Sequence, residues 1–301
     1  MSFAGEAKAE ICRNRIEKKC CAVAESYGVL LYCNTFSTEE IKISTANPDF
    51  AERLPKLFKK AFGVEFDILP AESSAGKRNF IITDSGKLER IFQTFDLSRD
   101  NMIAQHLNYG VIEEDCCRIS YIRGAFLAGG SVTDPEKRYH LEMTSSHRSA
   151  VRETIPVLQD MGFTPKESTR AGNSLLYFKQ ADAISDFLTT IGAPVTSMNV
   201  LTAKVEKEMR NTITRQINCD SANADKTVVA AQEQISAIKR FAAEFGLDAL
   251  PEPLKDAALL RITNPEASLS DLAKLSIPEV SKSCLSHRLR KIMSMAPEEK
   301  V

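Results

Sequence analysis

Near the C-terminal end of the chain, Ser283, Ser286, His287 and Arg290 recur at i, i+3, i+4 and i+7. That spacing places hydroxyl, imidazole and guanidinium groups on one face of a helix. Lys282, Arg288 and Lys291 flank them, and residues 281 to 291 hold four Lys/Arg and no Asp or Glu in a chain of formal net charge -1. Donors of this kind read base edges in a major groove, while the flanking cations neutralise phosphates. The competing reading of the same residues is a solvated basic face on a small helical bundle. The contrast in charge and the capped helix start favour the first.

The other reactive side chains suggest little. Eight cysteines fall at 12, 20, 21, 33, 116, 117, 219 and 284. Two pairs are vicinal, no C-x-x-C occurs, and no histidine stands at metal-finger spacing, so no metal site is expected. The vicinal pairs open apolar helices, where burial as small hydrophobes is favoured over redox chemistry. Reduced thiols fit a cytoplasmic protein. His106, His140, His147 and His287 have no serine- or cysteine-centred elbow beside them, so no catalytic triad is expected. Ala128-Gly129-Gly130-Ser131 lacks the lysine of a phosphate-binding loop and the spacing of a dinucleotide fingerprint, and no cofactor is implied.

With 43% hydrophobic and 26% charged residues the composition is that of an ordinary globule, and its length allows two domains. The net charge excludes a polycation that coats nucleic acid, so any DNA contact must be a local patch. No stretch approaches the roughly 18 apolar residues of a membrane span.

The elements that would position these groups form a repeat. Cys116-Cys117-Arg118 through Gly129-Gly130-Ser131-Val132 reads as a buried helix ending in small residues, which allow a close backbone approach. An offset of 96 sets Cys116 on Cys20, Gly124 on Gly28 and Leu127 on Leu31. The same offset sets Ile81 on Tyr177, Leu88 on Ile184, Ile91 on Phe187 and Phe95 on Ile191. Between them, Leu54-Pro55 matches Ile155-Pro156 at an offset nearer 101. Each half, about 18–96 and 114–192, predicts a helix followed by mixed strands and helices. In the first half, strands are expected at 40–45, 64–69 and 79–83 and helices at 48–62 and 87–95. In the second, strands are expected at 138–144 and 175–178 and helices at 151–161 and 181–191. A charged helix over 2–18 precedes both.

From Val200 to Phe241 the pattern predicts two polar helices separated by a loop over Asn218–Asp225, rich in capping residues. Pro251 and Pro253 mark the next boundary. Three short helices follow: 254–262, one capped by Ser268 with Asp271 three residues on, and one capped by Ser281 and running to Met293. Leu285, Leu289 and Ile292 face inward on the last. This is the form of a helix-turn-helix whose third helix enters the major groove. The expected organisation is α+β: a duplicated scaffold over 1–200, a helical connector over 201–248 and a helix-turn-helix over 249–297.

Two helix-then-sheet repeats that each open on a small-residue helix resemble the LAGLIDADG homing-endonuclease fold. More closely, the chain resembles the WhiA family of bacterial regulators, which join a degenerate LAGLIDADG domain to a C-terminal helix-turn-helix. The match lies on Arg123–Val132, Asp134–Lys137, Tyr139–Glu142, Arg210-Asn211, Asn218-Cys219, Ala222-Asn223, Lys226-Thr227, Gly246-Leu247 and Ala249–Pro251. It continues over Asn264–Leu269, Ser281–Ser283 and His287–Lys291, while the first repeat, 20–36, fits poorly. The resemblance implies a cytoplasmic, nucleoid-associated regulator of transcription with a role in cell division and chromosome segregation, and in sporulation among spore formers. Its implied partners are double-stranded DNA and a protein co-regulator or the transcription machinery, with no membrane. The DNA-binding residues would be Ser268, Ser281, Lys282, Ser283, Ser286, His287, Arg288, Arg290 and Lys291. The strands of the implied saddle carry both charge signs, so only a weak contact with DNA is expected from them.

The alternative is a metal-dependent LAGLIDADG-type endonuclease. Such a nuclease needs a carboxylate at the end of each motif helix to hold the cation. Aligning Gly130-Ser131-Val132 with the motif's end puts Gly129 at that position, with Cys33 as its repeat partner, and neither can ligate a hard cation. The other register offers Asp134, but pairs it with Thr38 and puts Pro135 where the closing glycine belongs. Both leave the acid pair incomplete, so no nuclease activity is expected.

Overall fold

The computed structural model describes residues 2–70, 76–97 and 106–297, and the chain divides into two compact units, Met1–Lys207 and Glu208–Val301. The first unit opens with α1 (Phe3–Cys12), where Ser2 caps the helix by accepting from the Gly5 amide. The helix is shorter than the charge pattern over 2–18 suggested. The first repeat then runs α2 (Lys19–Tyr32), β1 (Thr35–Phe36), β2 (Ile41–Thr45), α3 (Pro48–Phe62), β3 (Arg78–Ile82) and α4 (Ser85–Thr94). The second runs α5 (Asp115–Gly129), β4 (Gly130–Val132), β5 (Leu141–Ser145), α6 (Arg148–Asp160), β6 (Lys166–Arg170), β7 (Asn173–Phe178) and α7 (Ala181–Ile191).

The sheets are antiparallel, in the orders β1-β2-β3 and β4-β5-β7-β6. Their central strands alternate as half-buried strands do, Ile41 and Ile43 inward in one and Leu141 and Met143 inward in the other. Both α3 and α6 carry the matching internal proline, Pro55 and Pro156. The duplication read from the offset of 96 is therefore present in the fold.

Two strand expectations are corrected. Residues 64–69 form no strand; only Ile68 bridges Ile81, although Val64 and Phe66 are buried. In the second repeat β6 was missed, because Lys166–Arg170 is exposed at every position and has no apolar alternation. Its pairing follows from the turn instead. Ala171 and Gly172 both take positive φ, 49° and 82°, the conformation of a two-residue hairpin.

The seam between the repeats is α2 against α5. A Cβ on Gly28 would lie 2.0 Å from Tyr121 O, and one on Gly124 would lie 1.9 Å from Glu25 O. The two glycines paired by the offset are thus where the helices cross, backbone against backbone. The close approach falls in mid-helix rather than at the glycine-rich end. Tyr32 from α2 and Tyr121 from α5 both donate to Thr154 Oγ1 on α6, at 3.0 and 2.8 Å, while Thr154 donates to Ala150 O. Glu25, 2% exposed within α2, holds Arg53 of α3 in a bidentate pair at 2.6 and 2.8 Å.

The loop expected over Asn218–Asp225 does not exist. α8 (Pro194–Phe245) is one helix of 52 residues, with residues to Lys207 in the first unit and the remainder in the second. Its capping residues there are exposed, and each costs only a few tenths of a kcal/mol against a better helix former. No glycine and no internal proline interrupts the run. Thr212, Thr214 and Thr227 return their hydroxyls to the carbonyls four residues back, so they do not compete for the helix.

In the second unit, α9 (Glu252–Thr263), α10 (Leu269–Leu275) and α11 (Lys282–Met295) follow α8. Leu254, Ala257, Ala258, Leu272, Leu285, Leu289 and Ile292 form a core with Ile238 and Phe241 of α8.

Candidate nucleic-acid interface and the ends of the motif helices

The tri-helical unit is set by its caps. Ser268 Oγ accepts from the Asp271 amide at 3.2 Å and donates to Asp271 Oδ2 at 2.7 Å, which starts α10. Ser281 Oγ accepts from the Cys284 amide at 3.2 Å, which starts α11. With Leu285, Leu289 and Ile292 turned into the core, the opposite side of α11 is fixed by helical geometry. Lys282, Ser283, His287, Arg290 and Lys291 are exposed on it, as is Ser281 at its start. Ser286, Arg288 and Ser268 are half-buried, and Arg288 lines an apolar groove with Leu260, Leu275 and Ile277. The candidate residues of α11 therefore divide into an outward set and a set partly committed to packing.

Arg261 was not singled out from sequence, because it reads as an ordinary polar position of α9. In the fold it is 1% exposed, and Nη1 donates to Ala267 O at 2.6 Å, fastening the turn between α9 and α10. Burial pushes its pKa down from the ordinary arginine value. Arg261→Ala removes a buried charged hydrogen bond and leaves a void, so a loss of about 2–4 kcal/mol is expected. Thermal unfolding followed by helical circular dichroism checks this, and an unchanged melting profile would contradict it.

At the other candidate site, the ends of α2 and α5 meet in a cleft lined by Tyr32, Cys33, Asn34, Ser44, Lys77, Ala128, Gly129, Thr144, Ser145, Ser146 and Asn173. No carboxylate lines it among the described residues. A Cβ at Gly129 would lie 2.3 Å from Thr144 O and 3.0 Å from the Tyr32 ring, so an acidic side chain could not be placed there without moving backbone. Cys33 is buried, its thiol 3.1 Å from Thr35 O and 3.2 Å from Leu30 O, and burial pushes its pKa up to about 12. Asp134 is occupied by its own turn, accepting from the Glu136 amide at 2.9 Å. Glu142 on β5 is held between His140 at 3.0 Å and Arg170 at 2.6 Å. Its pKa stays below the carboxylate norm because those partners outweigh its burial.

The cysteines do not all behave as small buried hydrophobes. All eight are free thiols, but only Cys33 and Cys117 are buried, while Cys20 and Cys219 are exposed. The vicinal pairs sit on the first turns of α2 and α5, where the seam opens towards solvent.

No helix among the described residues is long and apolar enough to cross a membrane. Residues 118–210 match the family described as the WhiA LAGLIDADG-like domain, and residues 213–296 match that of the WhiA C-terminal HTH domain. A protein of Ruminiclostridium cellulolyticum named "Probable cell division protein WhiA" is 34% identical over 304 residues, covering 98% of this chain and 97% of its own. A relative of the same name from Macrococcus caseolyticus is 35% identical over 304 residues, covering 98% and 96%. The crystal structure of full-length WhiA from Thermatoga maritima shares the fold, with a TM-score of 0.60 at 23% identity over 98% of each chain. The α+β organisation expected from sequence is thus a degenerate LAGLIDADG-like domain followed by a helix-turn-helix, and the chain belongs to the WhiA family.

Proposed function

We propose that the protein is a sequence-specific DNA-binding regulator of transcription, acting in cell division and chromosome segregation, and that it cleaves no DNA. The observation that carries the reading is the exposed, acid-free face of α11, where Ser283, His287 and Arg290 stand between Lys282 and Lys291. A capped helix presenting such a face can enter a major groove, with Arg290 and His287 at base edges and the lysines at phosphates. Ser268 and Ser281 bind by bringing helix starts to the backbone, and Ser286 and Arg288 support the reading face from its half-buried side. The scaffold to residue 200, the connector over 201–248 and the helix-turn-helix over 249–297 are the parts of this reading. The compartment is the cytoplasm, at the nucleoid.

The test is a gel shift of the full chain on genomic fragments selected by binding and sequencing. Arg290→Ala with His287→Ala is expected to abolish specific retention. Lys282→Ala with Lys291→Ala should weaken all sequences alike and lower the salt slope by about 2, one lost phosphate contact each. Specific retention unchanged in the first variant would move the reading face elsewhere. Against the endonuclease reading, no carboxylate among the described residues lines the cleft where the two helix ends meet. Site-specific nicking of a plasmid by the pure protein with Mg²⁺ would restore it.

A further inference from the structure

α2 and α5 each open on a cysteine pair at the second and third helical positions, Cys20-Cys21 in one and Cys116-Cys117 in the other. The crossing at Gly28 and Gly124 brings these two starts together, and all four Sγ atoms lie within 4.8 Å of one another. A zinc ion holds thiolates at about 2.3 Å in a tetrahedron, which sets sulfur–sulfur separations near 3.8 Å. The four thiols are therefore within side-chain adjustment of a closed tetrathiolate site. A polynuclear iron–sulfur cluster interposes several atoms between its thiolates and would force these sulfurs further apart.

A second feature points the same way. The N-caps of α2 and α5, Lys18 and Glu114, make no side-chain capping bond. α6, α7 and α9 likewise start without one, whereas α1, α3, α4, α10 and α11 are capped by a side chain. What sets α2 and α5 apart is that their two uncapped starts lie side by side. The amides of a first helical turn need acceptors, and two helix starts side by side present two positive dipole ends to each other. Four thiolates on one divalent ion carry a net charge of two minus, which supplies both the acceptors and the compensating charge. The thiols by themselves supply little: Cys21 Sγ donates to Cys116 O at 3.8 Å. Cys117 is buried, Cys21 and Cys116 are half-buried and Cys20 is exposed, so the cluster has a closed inner side and a face reachable by an ion.

We propose that Cys20, Cys21, Cys116 and Cys117 bind one structural zinc ion that clasps the two repeats together at the start of the α2/α5 seam. With all four positions taken by cysteine, the site has no open coordination position for catalysis, and its role is to stabilise the scaffold. Each cysteine gives up its thiol proton to solvent as the ion binds.

The experiment uses the full chain, untagged, expressed with zinc supplementation and purified under reducing conditions without chelator. Elemental analysis is expected to find about one zinc per chain, falling below about one-tenth in the Cys20→Ser/Cys117→Ser variant. Cobalt(II) substitution should give the sulfur-to-metal charge transfer and strong visible bands of a tetrahedral tetrathiolate. Both signals should persist in Cys219→Ser, whose thiol is exposed on α8. Tyrosine fluorescence verifies that the double variant is folded, and single Cys20→Ser, at an exposed position, supplies the second test if it is not. Wild-type protein that is metal-free with four accessible thiols in the cluster, iron with sulfide in place of zinc, cross-pair disulfides, or zinc retained by the folded double variant would each overturn the proposal.

Discussion

Gly124→Leu is expected to leave the first unit unfolded, and Gly124→Ala to cost it about 3 kcal/mol, at the upper end of what overpacking a helix contact does. The added Cβ would lie 1.9 Å from Glu25 O and 3.0 Å from Val29 N. An ordinary carbon–oxygen contact is about 3.3 Å. The obstacle is backbone rather than the tip of a flexible side chain, so α2 and α5 must separate along the seam. Intrinsic propensity opposes this, since alanine in a helix is better than glycine by about 1 kcal/mol. Packing outweighs it here. Gly86→Ala in α4 is the control: its nearest atom is Asp84 Oδ1 at 3.4 Å, and the variant should be neutral or slightly stabilised. All six tyrosines lie at or before residue 177 and the chain has no tryptophan, so tyrosine fluorescence during urea unfolding reports the first unit alone. Gly124→Ala as stable as the wild type would mean that the seam is not close-packed.

Arg53→Met should cost the first unit about 3–5 kcal/mol, because it strands a buried carboxylate. Glu25 is 2% exposed and loses both short bonds at once, with Arg123 Nη1 remaining 3.8 Å away. Arg53 Nη1 also ties down Asn14 O at 2.6 Å and Cys12 O at 3.2 Å, so the chain between α1 and α2 loosens with it. The pair itself need not be strongly stabilising, since desolvation offsets much of the attraction between buried charges. The double variant Glu25→Leu/Arg53→Met is therefore expected to be clearly more stable than Arg53→Met alone. A double-mutant cycle by urea unfolding measures the coupling. A loss below about 1 kcal/mol in Arg53→Met would remove the pair from the structural core.

Local chemistry made most of the second unit legible. Ser268 and Ser281 cap the helices they were expected to cap, and Leu285, Leu289 and Ile292 face inward as their spacing required. Such signals lie within a few residues of their effect. Arg261 escaped notice because its partner, Ala267 O, is created by the turn, and its burial by packing that no local pattern records. The same split runs through the first unit. Buried strands β2 and β5 were visible in their alternation and β7 in its short apolar run, while the edge strand β6 was invisible because solvent imposes no alternation on it. The break expected at Asn218–Asp225 failed for a related reason. Capping residues mark a helix end only where something else ends the helix.

By itself the sequence determined the duplication, the pairing of Gly28 with Gly124 in the repeat, the capped C-terminal helices and the absence of a carboxylate at Gly129 and Cys33. Each follows from residue identity at a position, or from comparing the chain with itself at an offset of 96. Only the tertiary structure decided that Glu25 meets Arg53, that α8 is continuous, and that Cys20-Cys21 and Cys116-Cys117 form one cluster. These depend on which surfaces the fold brings together. A vicinal cysteine pair read alone is a small apolar step at a helix start. Two of them become a metal site only because Gly28 and Gly124 let the helices cross close enough for the thiols to meet.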